Sequence, residues 1–297
     1  MDSTKARLEA HCQKFLISNN KASAGIGYTP SVLSQWRKGD YKGDVDAVEF
    51  KVRAWLDLQE SREATGTIPF IPLRRTEMIK NAVRLAHEES IIALVLGNSG
   101  AGKSRALEEY RIENPSTSIM IRMDPTMGLS TVVANLAREM GMDAKGRLSD
   151  VSDRLVAELK KRDMVIIFDE TNYMSDLVME WARIALFDKG GAALVFAGLP
   201  TIEYRIKGLR GDHRQLENRI GLKVQVEDVT GSEVKEVLEA IWPGMEGEAK
   251  QAFVGAARQS LHILIKHIAL VRRTLRGTDG AVPTKDVVSD AANLLMG

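Results

Sequence analysis

The stretch Leu94–Tyr110, LVLGNSGAGKSRALEEY, constrains the fold more than any other part of the chain. An apolar strand, Ile91 to Leu96, runs into a glycine-bearing turn and then into a helix from Ser104 to Arg111. Gly97, Gly102, Lys103 and Ser104 satisfy G-x-x-x-x-G-K-[ST] between that strand and that helix, the context the pattern needs. Such a turn wraps so that several backbone N–H groups face one anion, and the helix start adds partial positive charge. A phosphate fits there. Lys103 would reach the β- and γ-phosphates as a point charge, and the Ser104 hydroxyl would complete the coordination of Mg²⁺. The ATP-binding set is Gly97, Asn98, Ser99, Gly100, Ala101, Gly102, Lys103, Ser104 and the adjoining Arg105. A flexible glycine turn that matches by chance is the alternative, and the strand and helix on either side speak against it.

Hydrolysis needs a second element, a strand ending in acids. DMVIIFDET supplies it: Met164 to Phe168 is a continuous apolar run, as expected of a central parallel strand buried on both faces, and Asp169 and Glu170 follow. Asp169 would hold Mg²⁺, through water, and Glu170 would polarise the attacking water as general base. Alone, two acids after a strand describe an ordinary solvated strand end. Their pairing with the phosphate loop makes the catalytic reading the better one.

Charge and cysteine content narrow the classes. Lys+Arg 41 against Asp+Glu 40 leaves a formal net charge of +1, so nothing global announces nucleic acid and any DNA contact must come from local patches. The single cysteine, Cys12, excludes an internal disulfide, and the 5 His lack ligand spacing. No apolar run is long enough to span a bilayer, and MDSTKARLEA lacks a signal-peptide core. A cytoplasmic protein without membrane partners is expected.

Three blocks follow along the 297 residues. Residues 1–62 read as short helices: Thr4 to Asn19, a piece near Lys21 to Ala24, Pro30 to Lys38 and Val45 to Ser61. Residues 63–72 carry Gly, Thr, Pro69 and Pro72 and read as a linker. Residues 73–226 alternate helix and strand, which predicts a parallel sheet covered on both faces: strands at Ile91 to Leu96, Ser118 to Met123, Val165 to Phe168, Ala192 to Ala197 and Leu222 to Val226, with helices at Thr76 to Glu88, Ser104 to Arg111, Ser130 to Met140, Ser149 to Arg162 and Ser175 to Phe187. Ligands on such sheets gather at the carboxyl ends of the strands, where the phosphate loop and both acids fall. Residues 227–297 are helical throughout. TGSE at Thr230 to Glu233 is a capping box.

In the front block, a turn with Gly27, Thr29 as N-cap and Pro30 at the first helical position precede Val32, Leu33 and Trp36, the pattern of a helix-turn-helix. Leu33 and Trp36 should pack inside. Ser31, Ser34, Gln35, Arg37 and Lys38 should lie on the exposed face, suited to phosphates and base edges. The alternative is a small helical domain for protein contact.

The α/β core followed by a helical domain resembles AAA+ P-loop ATPases over residues 73 to 297, with the C-terminal helices as the lid. Taken with WRKGDYKGD, Trp55, GNSGAGKS and IIFDE in this order, the chain resembles the Mu transposition protein B family. The resemblance implies ATP-dependent, sequence-tolerant binding of double-stranded DNA, assembly into homo-oligomeric helical filaments, and delivery of target DNA to a transposase. It also implies an arginine reaching a neighbouring subunit's γ-phosphate. Arg219 holds that place, with Arg214 as rival. Two departures stand out. The polar sensor expected after Ala197-Gly198 is replaced by Leu199-Pro200, with Thr201 the first polar side chain, and the lid arginine is replaced by His262.

A filament of this kind needs basic side chains along its inner face, binding phosphates by counterion release. Lys145 and Arg147, on a glycine-bearing loop, are the preferred contacts. Arg205, Lys207 and Arg210 are further candidates whose alternative role is subunit contact, and Lys160, Lys161 and Arg162 read as complements to a helix C-terminus. Two other functions fit the same motifs: a helicase-loader or remodelling ATPase acting on a protein, and a transcription regulator tuned by ATP.

Overall fold

The structure, a computed structural model, describes residues 2–65, 68–208, 214–275 and 281–296. The described residues group into two compact units, Met1–Pro69 with Ala269–Ala281, and Phe70–Ile268 with Val282–Gly297.

The first unit contains α1 (Asp2–Lys14), α2 (Asn19–Ile26), α3 (Pro30–Lys38) and α4 (Val45–Thr65). The expected first helix to Asn19 is cut short: Leu16 takes a positive φ of 51° and Ser18 caps α2 by accepting from the Lys21 backbone N–H. At its other end α4 runs past Ser61 to Thr65, and residues 66–67 of the expected linker lie outside the described residues. Gly27, left-handed with φ 85°, closes α2, and Thr29 caps α3 with Pro30 at its first turn. Leu8, Ala22, Ile26, Leu33, Trp36, Val48, Val52 and Leu56 form the core of this unit.

The second unit carries α5 (Arg74–Glu88), β1 (Ile92–Gly97), α6 (Lys103–Glu113), β2 (Ser118–Arg122), α7 (Leu129–Glu139), α8 (Leu148–Leu159) and β3 (Val165–Asp169). A 3₁₀ turn at Thr171–Tyr173 leads to α9 (Asp176–Trp181), which continues as a π-helical stretch, Ala182–Lys189. Then come β4 (Ala193–Gly198), α10 (Thr201–Gly208), α11 (Arg214–Glu217) and β5 (Ile220–Val226). The helices α12 (Gly231–Ile241), α13 (Gly247–Ala257), α14 (Leu261–Thr274) and α15 (Lys285–Met296) complete the chain. The single helix expected over Ser175 to Phe187 is thus α-helical only in its first half. α8 stops at Leu159, so Lys161 and Arg162 lie beyond it and pair with Glu158.

The five strands are parallel in the order β2-β3-β4-β1-β5. β1, β3 and β4 are buried along their whole length, because helices cover both faces of the sheet centre, whereas β5 at the edge alternates half-buried and exposed residues. Side chains divide between the two faces with a period of two. Ala93, Val95, Val165, Ile167, Ala193, Val195 and Ala197 meet α5 and α6. Leu94, Leu96, Phe168, Leu194 and Phe196 meet α7, α8 and α9 on the other side, with Phe168 and Phe196 stacked at 5.6 Å between ring centroids. Each fully buried side chain of this size contributes about 1.5–3 kcal/mol of hydrophobic stabilisation.

Candidate nucleotide site

Parallel pairing brings the carboxyl ends of β1, β3 and β4 together, and each leads into a piece of the site. Gly97 ends β1, and the chain turns through Gly100 and Gly102, whose φ values of 82° and 88° lie in the left-handed region open to glycine at low cost. Gly102 is also the N-cap of α6, so the loop delivers Lys103 and Ser104 into that helix's first turn. The Lys103 ammonium donates to the carbonyls of Gly97 (2.7 Å) and Asn98 (3.0 Å). Burial lowers its pKa below 10.5, while Glu170 and Asp169 oppose that shift. The lysine and the two acids therefore share one electrostatic environment. Arg105 turns outward on α6, where it pairs with Glu109 at 2.6 Å and stacks over Phe70.

Asp169 ends β3 and is 1% exposed. Its Oδ2 accepts from Arg122 Nε at 3.1 Å, and its Oδ1 is buried with no hydrogen-bond partner. A buried carboxylate oxygen with nothing to bond is costly. A divalent cation with hard-oxygen ligands fits that oxygen. No group of three or more His, Cys, Asp or Glu able to hold a metal exists among the described residues. Glu170 adopts φ 56°, ψ 41°, a left-handed conformation that costs a non-glycine residue energy and is typical of functional sites.

The loop is braced from three sides by residues that local sequence does not announce. Arg75, 6% exposed at the start of α5, makes a bidentate pair with Glu233 and donates to the carbonyls of Ala101 (3.4 Å), Glu227 (2.9 Å) and Asp228 (3.1 Å). Burial alone would raise the Glu233 carboxyl; hydrogen bonds from Arg75 and Thr230 outweigh it and hold the group below the ordinary value of 4.5. Glu233 is also the third residue of the Thr230 capping box, so one side chain ties the cap of α12 to the phosphate loop. Asn98 Nδ2 donates to Asp228 Oδ1 at 2.7 Å, and Leu261 N to Gly100 O at 2.9 Å. A cleft of about 540 Å³ opens beside Asp228, lined by Val229, Val234, Val254 and Gln259.

The remaining candidates scatter. Arg219 directly precedes β5, half exposed, and donates to Asp188 at 3.1 Å. The Arg214 side chain and Arg210 lie outside the described residues. Lys145 and Arg147 are exposed on a loop that Arg154 pins by donating to the carbonyls of Asp143 (3.0 Å) and Lys145 (2.9 Å). Arg205 instead clamps its own chain, bonding the carbonyls of Asn172 and Met174 and the Asp176 carboxylate, and Lys207 pairs with Glu203. In the first unit Gln35 and Lys38 are exposed. Arg37 departs from the expected exposed face. It stands four residues after Leu33, on the side that packs, and is half-buried with Nη2 donating to Cys12 Sγ at 3.5 Å. At the far end of β4, Leu199 and Pro200 are half-buried and Thr201 is exposed at the start of α10. His262 is exposed in the first turn of α14.

Residues 86–206 match the family model described as AAA domain. The chain has the AAA+ P-loop ATPase fold. By sequence it is similar to the transposition B proteins of Mu-like phages. It is 26% identical over 265 residues to the ATP-dependent target DNA activator B of Escherichia phage Mu, covering 84% of this chain and 82% of that protein. The Mu-like prophage FluMu DNA transposition protein B of Haemophilus influenzae is 23% identical over 240 residues, 79% of this chain and 83% of that one. Among solved structures, the Aeropyrum pernix ORC2 protein superposes with a TM-score of 0.62 at 13% identity, covering 78% of this chain and 71% of that one. The Thermotoga maritima RuvB Holliday junction branch migration motor gives 0.52 at 18% identity, covering 78% and 74%. Among the described residues no helix is long and apolar enough to cross a membrane.

Proposed function

We propose that the chain is an ATP-dependent DNA-binding ATPase that assembles as filaments on double-stranded DNA and presents that DNA to a transposase in a bacterial cytoplasm. The observation that carries this reading is the likeness, over 84% of the chain, to a protein named ATP-dependent target DNA activator. The site supports the ATP half. The triphosphate lies in the Gly97–Ser104 loop, and the nucleoside half fits the cleft beside Asp228. Glu170 takes a proton from water as the water oxygen bonds to the γ-phosphorus, and the bond to the departing ADP oxygen breaks with its electron pair on ADP. Ser104 and Asp169 would hold Mg²⁺, which when bound neutralises charge on the β- and γ-phosphates. Lys103 adds positive charge from within the chain. Arg219, at the surface, is the candidate to add more across a subunit boundary. Lys145 and Arg147 are the free surface cations best placed in this reading for DNA phosphates, with Gln35 and Lys38 secondary. Arg37, Arg205 and Lys207 are weaker candidates because each already has an intramolecular partner.

Electron microscopy of the protein with random-sequence duplex, with and without ATP, tests the reading. Filaments that require ATP and vanish in Lys103→Ala are the expected result. A protein that stays monomeric on DNA with every nucleotide refutes it, and discrete occupancy of one sequence points to a regulator instead.

A further inference from the structure

The site has a gap on one strand and an orphaned group beside it. β4 runs between β3 and β1, so its carboxyl end lies between the acids and the phosphate loop. Its sequence contributes Ala197, Gly198, Leu199 and Pro200 there, without a polar side chain. Activated water has two hydrogens and Glu170 accepts one of them; no side chain at the end of β4 is able to accept the other.

Asn172 occupies the space over that strand end. It sits in the 3₁₀ turn after β3, which is fastened on both sides: Thr171 Oγ1 donates to Ala197 O at 2.9 Å, and Arg205 donates to the carbonyls of Asn172 at 3.3 Å and Met174 at 2.8 Å. The turn lies so close on β4 that a Cβ at position 198 would stand 2.7 Å from Thr171 Oγ1 and 3.3 Å from Asn172 Oδ1. The glycine is therefore what lets the turn settle on β4, with Thr171 in closest contact and Asn172 beside it. Asn172 Oδ1 is buried and bonds no protein group. Such an acceptor is expensive to keep unless function uses it. Its side-chain oxygen also does nothing to hold the turn, which the Thr171 hydroxyl and the backbone carbonyls already anchor.

We infer that Asn172 supplies, from the turn after β3, the polar group that β4 lacks, and that its Oδ1 accepts the second hydrogen of the attacking water. The inference rests on the ATPase reading above. The amide neither gains nor loses a proton. The water oxygen forms its bond to the γ-phosphorus, Glu170 receives the proton, and ADP leaves with the electron pair. Asn172 fixes the line of attack, and a misplacement of about 1 Å in such a step costs on the order of 100-fold in rate.

The test uses the full chain with saturating ATP and duplex DNA. Asn172→Ala should lower kcat by about 100-fold, leave the Kd for a fluorescent ATP analogue within about twofold and keep the melting temperature of the parent. In that background Leu199→Asn, which puts an amide just after β4, should recover at least about tenfold of the lost rate. Wild-type turnover in Asn172→Ala overturns the inference, as does a loss confined to Kd or to melting, or a failure of Leu199→Asn to recover activity. Lys103→Ala and Glu170→Gln run alongside: hydrolysis that survives both would show instead that the ATPase reading itself is wrong.

Discussion

Two glycine-bearing loops of the second unit invite comparison. The phosphate loop, Gly97–Ser104, is held by contacts arriving from far along the chain: Arg75 from α5, Asp228 after β5, Leu261 at α14, and Glu233 behind Arg75 at a separation of 158 residues. The basic loop that carries Lys145 and Arg147 is held by Arg154, nine residues on from Lys145, and by Asp143 accepting from the Lys145 backbone N–H. Both loops use glycine at positive φ, Gly102 at 88° and Gly146 at 118°. On the proposed function, the difference lies in what each would do. A loop that wraps a triphosphate needs its N–H groups fixed before the ligand arrives, since fixed dipoles need not reorganise during the reaction. A loop that meets a duplex of any sequence needs charge in roughly the right place and gains from being adjustable.

The largest expected effect breaks the first loop. Arg75→Ala leaves the Glu233 carboxylate, whose side chain is 15% exposed, without its cationic partner and frees three backbone carbonyls. Breaking a buried ion pair from one side costs about 3–5 kcal/mol, to be read from urea unfolding of the full chain, and ATP affinity should fall with it. Arg154→Ala is the matched control on the second loop. It removes two exposed side chain to carbonyl bonds and should cost no more than about 1–2 kcal/mol, with ATP affinity intact. Equal losses in the two variants would erase the distinction between the loops.

Acid sharpens the same point. Glu233 is depressed in the folded protein, so its contribution is fully present above the ordinary carboxyl value of 4.5 and is lost as pH falls through the lower native value. Unfolding measured from pH 6 down to about pH 3 should therefore show a loss that is smaller in Arg75→Ala, where only the Thr230 hydrogen bonds remain to hold the carboxyl down. An unchanged acid limb in that variant would place the sensitivity in other carboxylates.

How much of this was legible follows from how local each signal is. β1, β3 and β4 announce themselves as unbroken apolar runs because they are buried on both faces, and the phosphate loop is written in consecutive residues. β5 begins two residues before the expected Leu222, because an edge strand shows only alternating apolar positions and Gly221 interrupts it. α10 and α11 carry little local signal, since the Leu199-Pro200 step looks like loop and each helix is short. The π-helical turn after Trp181 left no mark of its own. Arg75 carries no local sign either: an arginine in the first turn of a surface-reading helix looks solvated until its partners, 152 to 158 residues away, are folded against it. Arg37 is the opposite case. Its four-residue spacing from Leu33 places it on the packed side, while its charge favours the exposed one.

The smallest effect concerns the second loop alone. Lys145 and Arg147 are exposed, and no side-chain partner of either is seen among the described residues, whereas Lys207 donates to Glu203 at 2.6 Å and Arg205 is fixed by three bonds. Counterion release assigns each phosphate contact a change of about 0.9 in the slope of log affinity against log salt. Lys145→Ala and Arg147→Ala should each lower that slope by about 1, equally for unrelated duplexes, with ATP turnover unaltered. Lys207→Ala should change it less, because its ammonium is already paired with Glu203, a carboxylate it shares with Lys223. If Lys207→Ala moves the slope and the two loop variants do not, the DNA path runs over the α10 face, and the adjustable loop serves some other contact.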